Sequence, residues 1–193
     1  MKLIPLSGAG GGHSAIVDDD DYEWLSKMKW YVVRCGYAKQ YLSVRTRLLK
    51  VWDDGYTWGR AETMHRVILG KETQLSRDIH IDHINNNTLD NRKENLRPCT
   101  RAENIRNSVK RRTNNGKPCS SKYKGVIAYP YSGNKPWNAQ IRHNGVLHNL
   151  GYFSSEEEAA LAYDEKAREL NGEFARTNFE SGMTDGRKVN HAS

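Results

Sequence analysis

The sequence predicts an α+β protein of two modules, on three observations. Aromatic and β-branched runs fill the first sixty residues. A strand, loop, strand and helix pattern follows between residues 79 and 109. Past residue 122, three alternating segments precede one amphipathic helix. A length of 193 residues suits one large or two small domains.

The elements follow in order. After the acids Asp18 to Asp21, Tyr22, Trp24 and Leu25 open a short helical turn, since acids favour the positive end of a helix. Residues 30–33 and 36–44 form a hairpin about Cys35-Gly36. Residues 64–69 form a helix stopped by Gly70. Residues 79–84 form a strand, Asn85-Asn86-Asn87 a loop, and residues 95–99 a second strand. Thr100 with Glu103 is a capping box for a helix reaching residue 109 or 112. The polar stretch 113–121 is a linker by composition. Strands then cover 125–129, 137–142 and 146–150, with His143-Asn144-Gly145 as the turn between the last two. Ser155 with Glu158 caps a helix to Leu170, whose buried stripe is Ala159, Tyr163, Ala167 and Leu170, with Ala160 beside it; Asn171-Gly172 ends it. The expected division is a β-rich region (1–60), a core (61–112), a basic linker (113–121), a second module (122–180) and a tail (181–193).

Composition narrows the function classes. Hydrophobic residues make up 37% and mean hydropathy is −0.84, with no run near the ~18 apolar residues of a membrane span. Without a signal-type apolar segment the expected location is the cytoplasm. Three separated cysteines, Cys35, Cys99 and Cys119, give neither a disulfide framework nor a zinc motif. A net charge of +7 points to a polyanionic partner. Residues 101–122 hold seven bases against Glu103 alone, and residues 123–153 hold three bases and no acid. Residues 154–173 hold seven acids and two bases.

The chemistry is concentrated in Asp82-His83, Asp90-Asn91-Arg92, Asn95-Leu96 and Asn104. A carboxylate and a carboxamide oxygen suit one hard divalent ion, Mg2+ or Mn2+, which keeps part of its water shell. A neutral imidazole beside them suits proton abstraction from water. Asn95 braces the loop that holds the imidazole. His65-Arg66 serves packing or phosphate contact; His80, two residues before Asp82, can turn to the same face as a secondary ligand candidate, whereas His13, His143, His148 and His191 lack partners at ligand spacing.

These tokens, over residues 61–112, resemble the HNH endonucleases, and among them the phage and homing branch that ends its motif in asparagine. The resemblance implies a ββα-metal core, with His83, Asn95 and Asp82 as the catalytic set, Asp82 and Asn104 as metal ligands, and Asn91 as a structural brace. It also implies hydrolysis of a phosphodiester bond in double-stranded DNA to 5′-phosphate and 3′-hydroxyl ends, by nicking or by cutting both strands. Such a protein works in a bacterial or phage-infected cell, with no membrane and no obligate protein partner.

Residues 122–179 resemble the Apetala/ethylene-response-factor DNA-binding domain through Tyr123-Lys124-Gly125-Val126, Trp137 to Arg142, Leu150-Gly151-Tyr152-Phe153, residues 158–164 and Asn178-Phe179. The implied fold is a three-stranded antiparallel sheet packed on one helix. Alternation turns Ala139 and Ile141 toward the helix and Asn138, Gln140 and Arg142 outward. The resemblance adds Lys124, Tyr129, Asn149 and Tyr152 as DNA contacts. The bases Lys110, Arg111, Arg112 and Lys122 would meet the DNA backbone between the modules. Ile127, Leu147 and Asn149 depart from the plant pattern, so its sequence preference does not transfer. The rival reading is a non-catalytic, sequence-specific DNA-binding regulator on a decayed nuclease fold.

Overall fold

A computed structural model describes residues 1–8, 12–35, 41–51, 57–72, 75–76, 78–110, 112–114, 116–131 and 133–179. It divides into two compact units, Met1–Asn104 and Ile105–Ser193. The expected turn at Cys35-Gly36, the base Arg111, the histidine His191 and the tail 181–193 lie wholly or partly outside the described residues.

The first unit begins with β1 (Lys2–Pro5) antiparallel to β3 (Ser14–Val17), Leu3 facing Ile16. β2 (Ser7–Gly8) lies parallel to β4 (Tyr31–Cys35). β4, β5 (Tyr41–Val51) and β6 (Thr57–Thr63) continue that sheet as an antiparallel meander. The expected hairpin is therefore present as the β4–β5 pair. α1 (Asp19–Leu25) carries Asp19, Asp20 and Asp21 in its first turn, where exposed backbone N–H groups favour negative charge. Trp30 Nε1 donates to Leu25 O at 2.9 Å and closes the end of that helix.

α2 (Met64–Glu72) runs through Gly70 instead of stopping there. β7 (His80–His83) and β8 (Leu96–Cys99) form an antiparallel ladder with Asp82 opposite Arg97 and His83 opposite Leu96. Asn95 belongs to a 3-10 turn, Lys93–Asn95, rather than to the strand. Thr100 and Glu103 make the reciprocal capping bonds of α3 (Arg101–Arg106). One core joins Ile4, Val17, Leu25, Trp30 and Val32 to Met64, Ile68, Ile81 and Leu96, so the elements β1, β3, α1 and β4 share an interior with α2, β7 and β8. They also grip its loop: Ile16 N donates to Leu89 O and Asn91 N to Ile16 O, both at 2.8 Å. Lys93 N donates to Asp18 Oδ2, also at 2.8 Å.

In the second unit, α3 is found to stop three residues or more short of the expected end. Lys124 Nζ donates to Arg106 O (2.5 Å) and Ser108 O (2.7 Å), and this drawn-together pair of carbonyls replaces a further helical turn. The expected linker contains a small hairpin, β9 (Thr113–Asn114) against β10 (Lys117–Pro118). β11 (Val126–Ala128), β12 (Trp137–His143) and β13 (Val146–Phe153) form the three-stranded antiparallel sheet. Asn144 (φ 48°) and Gly145 (φ 83°) supply the two left-handed positions of its tight turn. The β12–β13 register shifts between Ala139 and Gln140.

α4 (Glu156–Asn171) has the full Ser155/Glu158 capping box and buries Ala159, Ala160, Tyr163 and Ala167. Val126, Ala139 and Ile141 meet that stripe. At Gly125 (φ 77°) a Cβ would stand 1.8 Å from the Tyr163 ring, so the start of β11 passes flat against the helix. Asp164, fully buried, accepts from Asn178 N (2.7 Å), Asn178 Nδ2 (2.9 Å) and Phe179 N (2.9 Å). Asn178 Oδ1 in turn accepts from Lys124 N at 2.6 Å. A carboxylate at such depth is tolerated because its oxygens are occupied by donors.

Candidate active site and nucleic-acid interface

β7 delivers two adjacent reactive groups, Asp82 and His83, both buried. Asp82 Oδ2 accepts from Arg97 Nε (3.0 Å) and Nη2 (2.8 Å), the two side chains being 5% and 11% exposed. The ladder register makes this pair, since residues opposite each other on one sheet face have adjacent side chains. His83 Nε2 lies 3.4 Å from Asn91 Oδ1. An amide oxygen only accepts, so Nε2 carries the proton in this contact and Nδ1 is the basic nitrogen. Burial holds the His83 pKa below the ordinary imidazole value, although Asn91, Asp82 and Asp90 pull it the other way.

A second imidazole stands edge-on to the first. The His65 and His83 ring centroids are 5.1 Å apart with planes at 82°. His65 Nε2 meets Thr63 Oγ1 at 3.0 Å. Burial, followed by the charges of His83, Arg66 and Arg45, lowers the His65 pKa to about 3. Both rings are therefore uncharged at neutral pH. Arg66, for its part, is spent on the main chain, donating to Ser76 O and Ile79 O.

The loop between the strands is held by amides. Asn95 Oδ1 accepts from Asn85 N (2.9 Å) and its Nδ2 donates to Asp90 O (2.7 Å). Asn91, fully buried, donates to Thr88 O at 3.3 Å. Asp90 accepts from Asn85 Nδ2 (2.9 Å) and from Arg92 Nε (2.9 Å) and Nη2 (2.8 Å). Arg92 keeps the Asp90 carboxyl below the usual carboxylate range. The structure thus gathers Asp82, His83, Asn91 and Asn95 into one ladder and loop. Asn104 sits half-buried on α3, its backbone N bonded to Thr100 O (3.0 Å), and its carboxamide makes no hydrogen bond among the described residues. His65 and Arg97 were not foreseen as neighbours of the reactive pair. The strand register alone would have found Arg97; nothing local in the sequence signals the contact of His65 with His83.

Among the described residues, no three His, Cys, Asp or Glu side chains are gathered as a metal cage. The donor chemistry at β7 is one buried carboxylate with carboxamides near it in the chain. That set fits a hydrated hard cation of the Mg2+ type, which takes one or two protein oxygens and leaves its other positions to water and phosphate. It does not fit a structural zinc, which needs four N or S donors.

The second unit departs from several expected contacts. Asn138 lies on the expected outer face but is buried and engaged, and not available for reading: its Nδ2 donates to Asn149 Oδ1 (2.8 Å) and Gly151 O (3.0 Å), across the register shift. Asn149 Oδ1 also accepts from Gly151 N, so this carboxamide is engaged as well. Lys124 is turned onto the main-chain carbonyls, and burial lowers its pKa to about 8. Arg142 is exposed with Nη1 on Gly145 O (3.0 Å), and Gln140 is half-buried. Tyr129 and Tyr152 are exposed, their rings 5.4 Å apart, and Tyr131 adds a third ring at 6.4 Å from Tyr129. Lys110, Arg112 and Lys122 line an open cleft of about 600 Å³ with Ser120, Ser121 and Glu156. No helix among the described residues is long and apolar enough to cross a membrane.

Comparison with known proteins places these features. A 60-residue segment is 47% identical to an AP2/ERF and B3 domain-containing protein of Oryza sativa subsp. japonica, covering 31% of this chain and 16% of that one. A 72-residue segment is 43% identical to the AP2/ERF and B3 domain-containing transcription factor RAV1 of Arabidopsis thaliana, covering 36% and 20%. A family model described as HNH endonuclease matches residues 63–106, the stretch from His65 through Asn104. An uncharacterized HNH endonuclease of Acanthamoeba polyphaga mimivirus is 34% identical over 180 residues, 92% of this chain and 81% of its own length. With a match of that extent, and with the buried Asp82-His83 pair inside the matched segment, the chain belongs to the HNH endonuclease family and is a nuclease.

Proposed function

We propose that this chain is a metal-dependent DNA endonuclease of the homing type, with His83 as general base and a C-terminal AP2/ERF-type module that holds the DNA. The observation that carries the reading is the buried His83 ring, next to Asp82 along β7 and oriented by Asn91, where burial lowers its pKa. An imidazole that is already neutral can accept a proton from an attacking water at neutral pH. That water adds to phosphorus, the bond to the 3′ oxygen breaks, and the phosphate stays on the 5′ end. Asn95 fixes the loop that carries Asn91 and thereby the ring. Arg97 orients the Asp82 carboxylate. Asp82 and Asn104 would hold one Mg2+ or Mn2+, which when bound stabilises the negative charge developing on the leaving oxygen. For the second unit, the fold of three strands on one helix, the acid-free sheet and the two plant matches support DNA binding. Lys110, Arg112 and Lys122 supply phosphate contacts that position without reading sequence.

The test is cleavage of supercoiled plasmid by wild-type and His83→Ala protein with Mg2+ or Mn2+. Wild type yields open-circular or linear product whose ends a DNA ligase rejoins directly, and His83→Ala yields none. Equal cleavage by both removes His83 from the reaction. Tight site-specific binding without cleavage in either metal returns the non-catalytic regulator. Ends that resist ligation overturn the assignment of 5′-phosphate and 3′-hydroxyl products.

A further inference from the structure

The sheet face turned away from α4 has few free hydrogen-bonding groups with which to read bases. Alternation puts Ile127, Asn138, Gln140, Arg142, Leu147 and Tyr152 on that face. Asn138 and Asn149 satisfy each other, and the Arg142 guanidinium folds onto Gly145 O. Apart from Arg142, what projects is apolar or aromatic: Ile127 is 40% exposed, Tyr129 47%, Leu147 49% and Tyr152 38%. Patches of this kind on a soluble surface mark an interaction site. The charge distribution selects the occupant. The sheet segment 123–153 has no acid, whereas α4, packed on the opposite side, carries Glu156, Glu157, Glu158, Glu165 and Glu169 besides the buried Asp164. A polyanion is attracted to the sheet face and repelled from the helix face.

A duplex major groove, about 12 Å wide, admits a β ribbon, and the apolar feature it presents among the four unmodified bases is the C5-methyl of thymine. We infer that the outer sheet face of residues 126–153 reads duplex DNA by apolar contact with pyrimidine C5-methyl groups, through Ile127, Tyr129, Leu147 and Tyr152. This rests on the reading of the second unit as a DNA-binding module and adds to it the base feature that is recognised. The two ends of the face differ. Ile127, Tyr129 and Tyr152 surround one end and Leu147 with the aliphatic part of Arg142 the other, so methyls a few base steps apart are contacted together.

The experiment removes the methyl and nothing else. The full chain in EDTA, where it does not cleave, is titrated by fluorescence anisotropy against four labelled duplexes: alternating poly(dA-dT), poly(dA-dU), poly(dG-dC) and poly(dG-dC) with every cytosine 5-methylated. The methyl-bearing member of each pair is expected to bind tighter by about fourfold per contacted methyl, the value of burying one carbon. The Tyr129→Ser/Tyr152→Ser protein is expected to lose this preference, and Leu147→Ser, a single exposed change at the other end, to reduce it. Equal affinity of wild type for both members of each pair, with the variants binding more weakly throughout, overturns methyl reading and leaves DNA binding by the sheet in place. Variants that match wild type on all four duplexes remove the sheet from DNA binding altogether. A wild-type dimer in sedimentation without DNA, absent in the double tyrosine variant, gives the face to a second copy of this chain and overturns the inference.

Discussion

Acidification should weaken the first unit through His65. Its folded pKa, about 3, lies well below the 6.5 of a free imidazole. The native state therefore favours the neutral ring and the unfolded chain takes up the proton first. The stabilisation is complete above pH 6.5 and is lost as pH falls from 6.5 toward 3. One proton of difference is worth roughly 1.4 kcal/mol per pH unit, so the interval from pH 6.5 to 5.0 is worth about 2 kcal/mol at full effect. His65 as a residue keeps partial solvent exposure, and screening there reduces the expected loss to about 1 kcal/mol. His83 acts in the same direction because burial lowers its pKa too. The assay is urea unfolding at pH 7.5 and pH 5.0 in a Trp137→Phe background, where the four remaining tryptophans all precede residue 104 and report the first unit. His65→Gln keeps a polar group near Thr63 but has no proton to gain. Wild type should lose about 1 kcal/mol more than His65→Gln between the two pH values. Equal losses would refute the claim that the fold holds this imidazole neutral.

The same sign governs cleavage: with His83 as base, the acid limb of the rate profile should reach half-maximum below pH 6.5, and a midpoint above 6.5 contradicts that role. Arg97→Met takes both guanidinium donors from the buried Asp82 carboxylate and should cost about 3–5 kcal/mol in urea unfolding, with Asp82→Asn/Arg97→Met recovering most of it. Asn95→Ala removes the partners of Asn85 N–H and Asp90 C=O and should cost about 1–3 kcal/mol, together with most of the plasmid-nicking activity. Gly125→Ala drives a methyl into the Tyr163 ring at a left-handed backbone position and should lower stability by about 2–3 kcal/mol, read from Trp137 fluorescence on melting.

Features with local causes were legible in the sequence. Both capping boxes, Thr100 with Glu103 and Ser155 with Glu158, need four consecutive residues and no tertiary knowledge. The Asn144-Gly145 turn and the Ala159, Tyr163, Ala167 stripe are of the same kind. Features that depend on distant partners were not. α3 ends where Lys124 takes its carbonyls, a side chain 18 residues beyond Arg106. Asn138 was assigned to the outer face by alternation, which placed it correctly by strand but could not show that the register shift beside it brings Asn149 and Gly151 within bonding distance. That Asp164 is occupied by Asn178 depends likewise on a residue beyond the end of the helix, which no local pattern pairs with it. In the candidate site the same division holds. Asp82 and His83 announce themselves by adjacency, while Arg97 depends on ladder register and His65 on how α2 packs against β7.

The bonds that tie Ile16 to Leu89 and Asn91 run from main chain to main chain. Substitutions at position 16 can come and go without disturbing them, provided the residue is not proline. A change in spacing is another matter. Deleting or inserting one residue within β3 would shift the donor and acceptor of Ile16 that seat the loop of Leu89 and Asn91, and the histidine held by Asn91 with it. The matched stretch from 63 to 106, expressed alone, would therefore carry Asp82, His83, Asn91 and Asn95 and lack the strand that holds their loop.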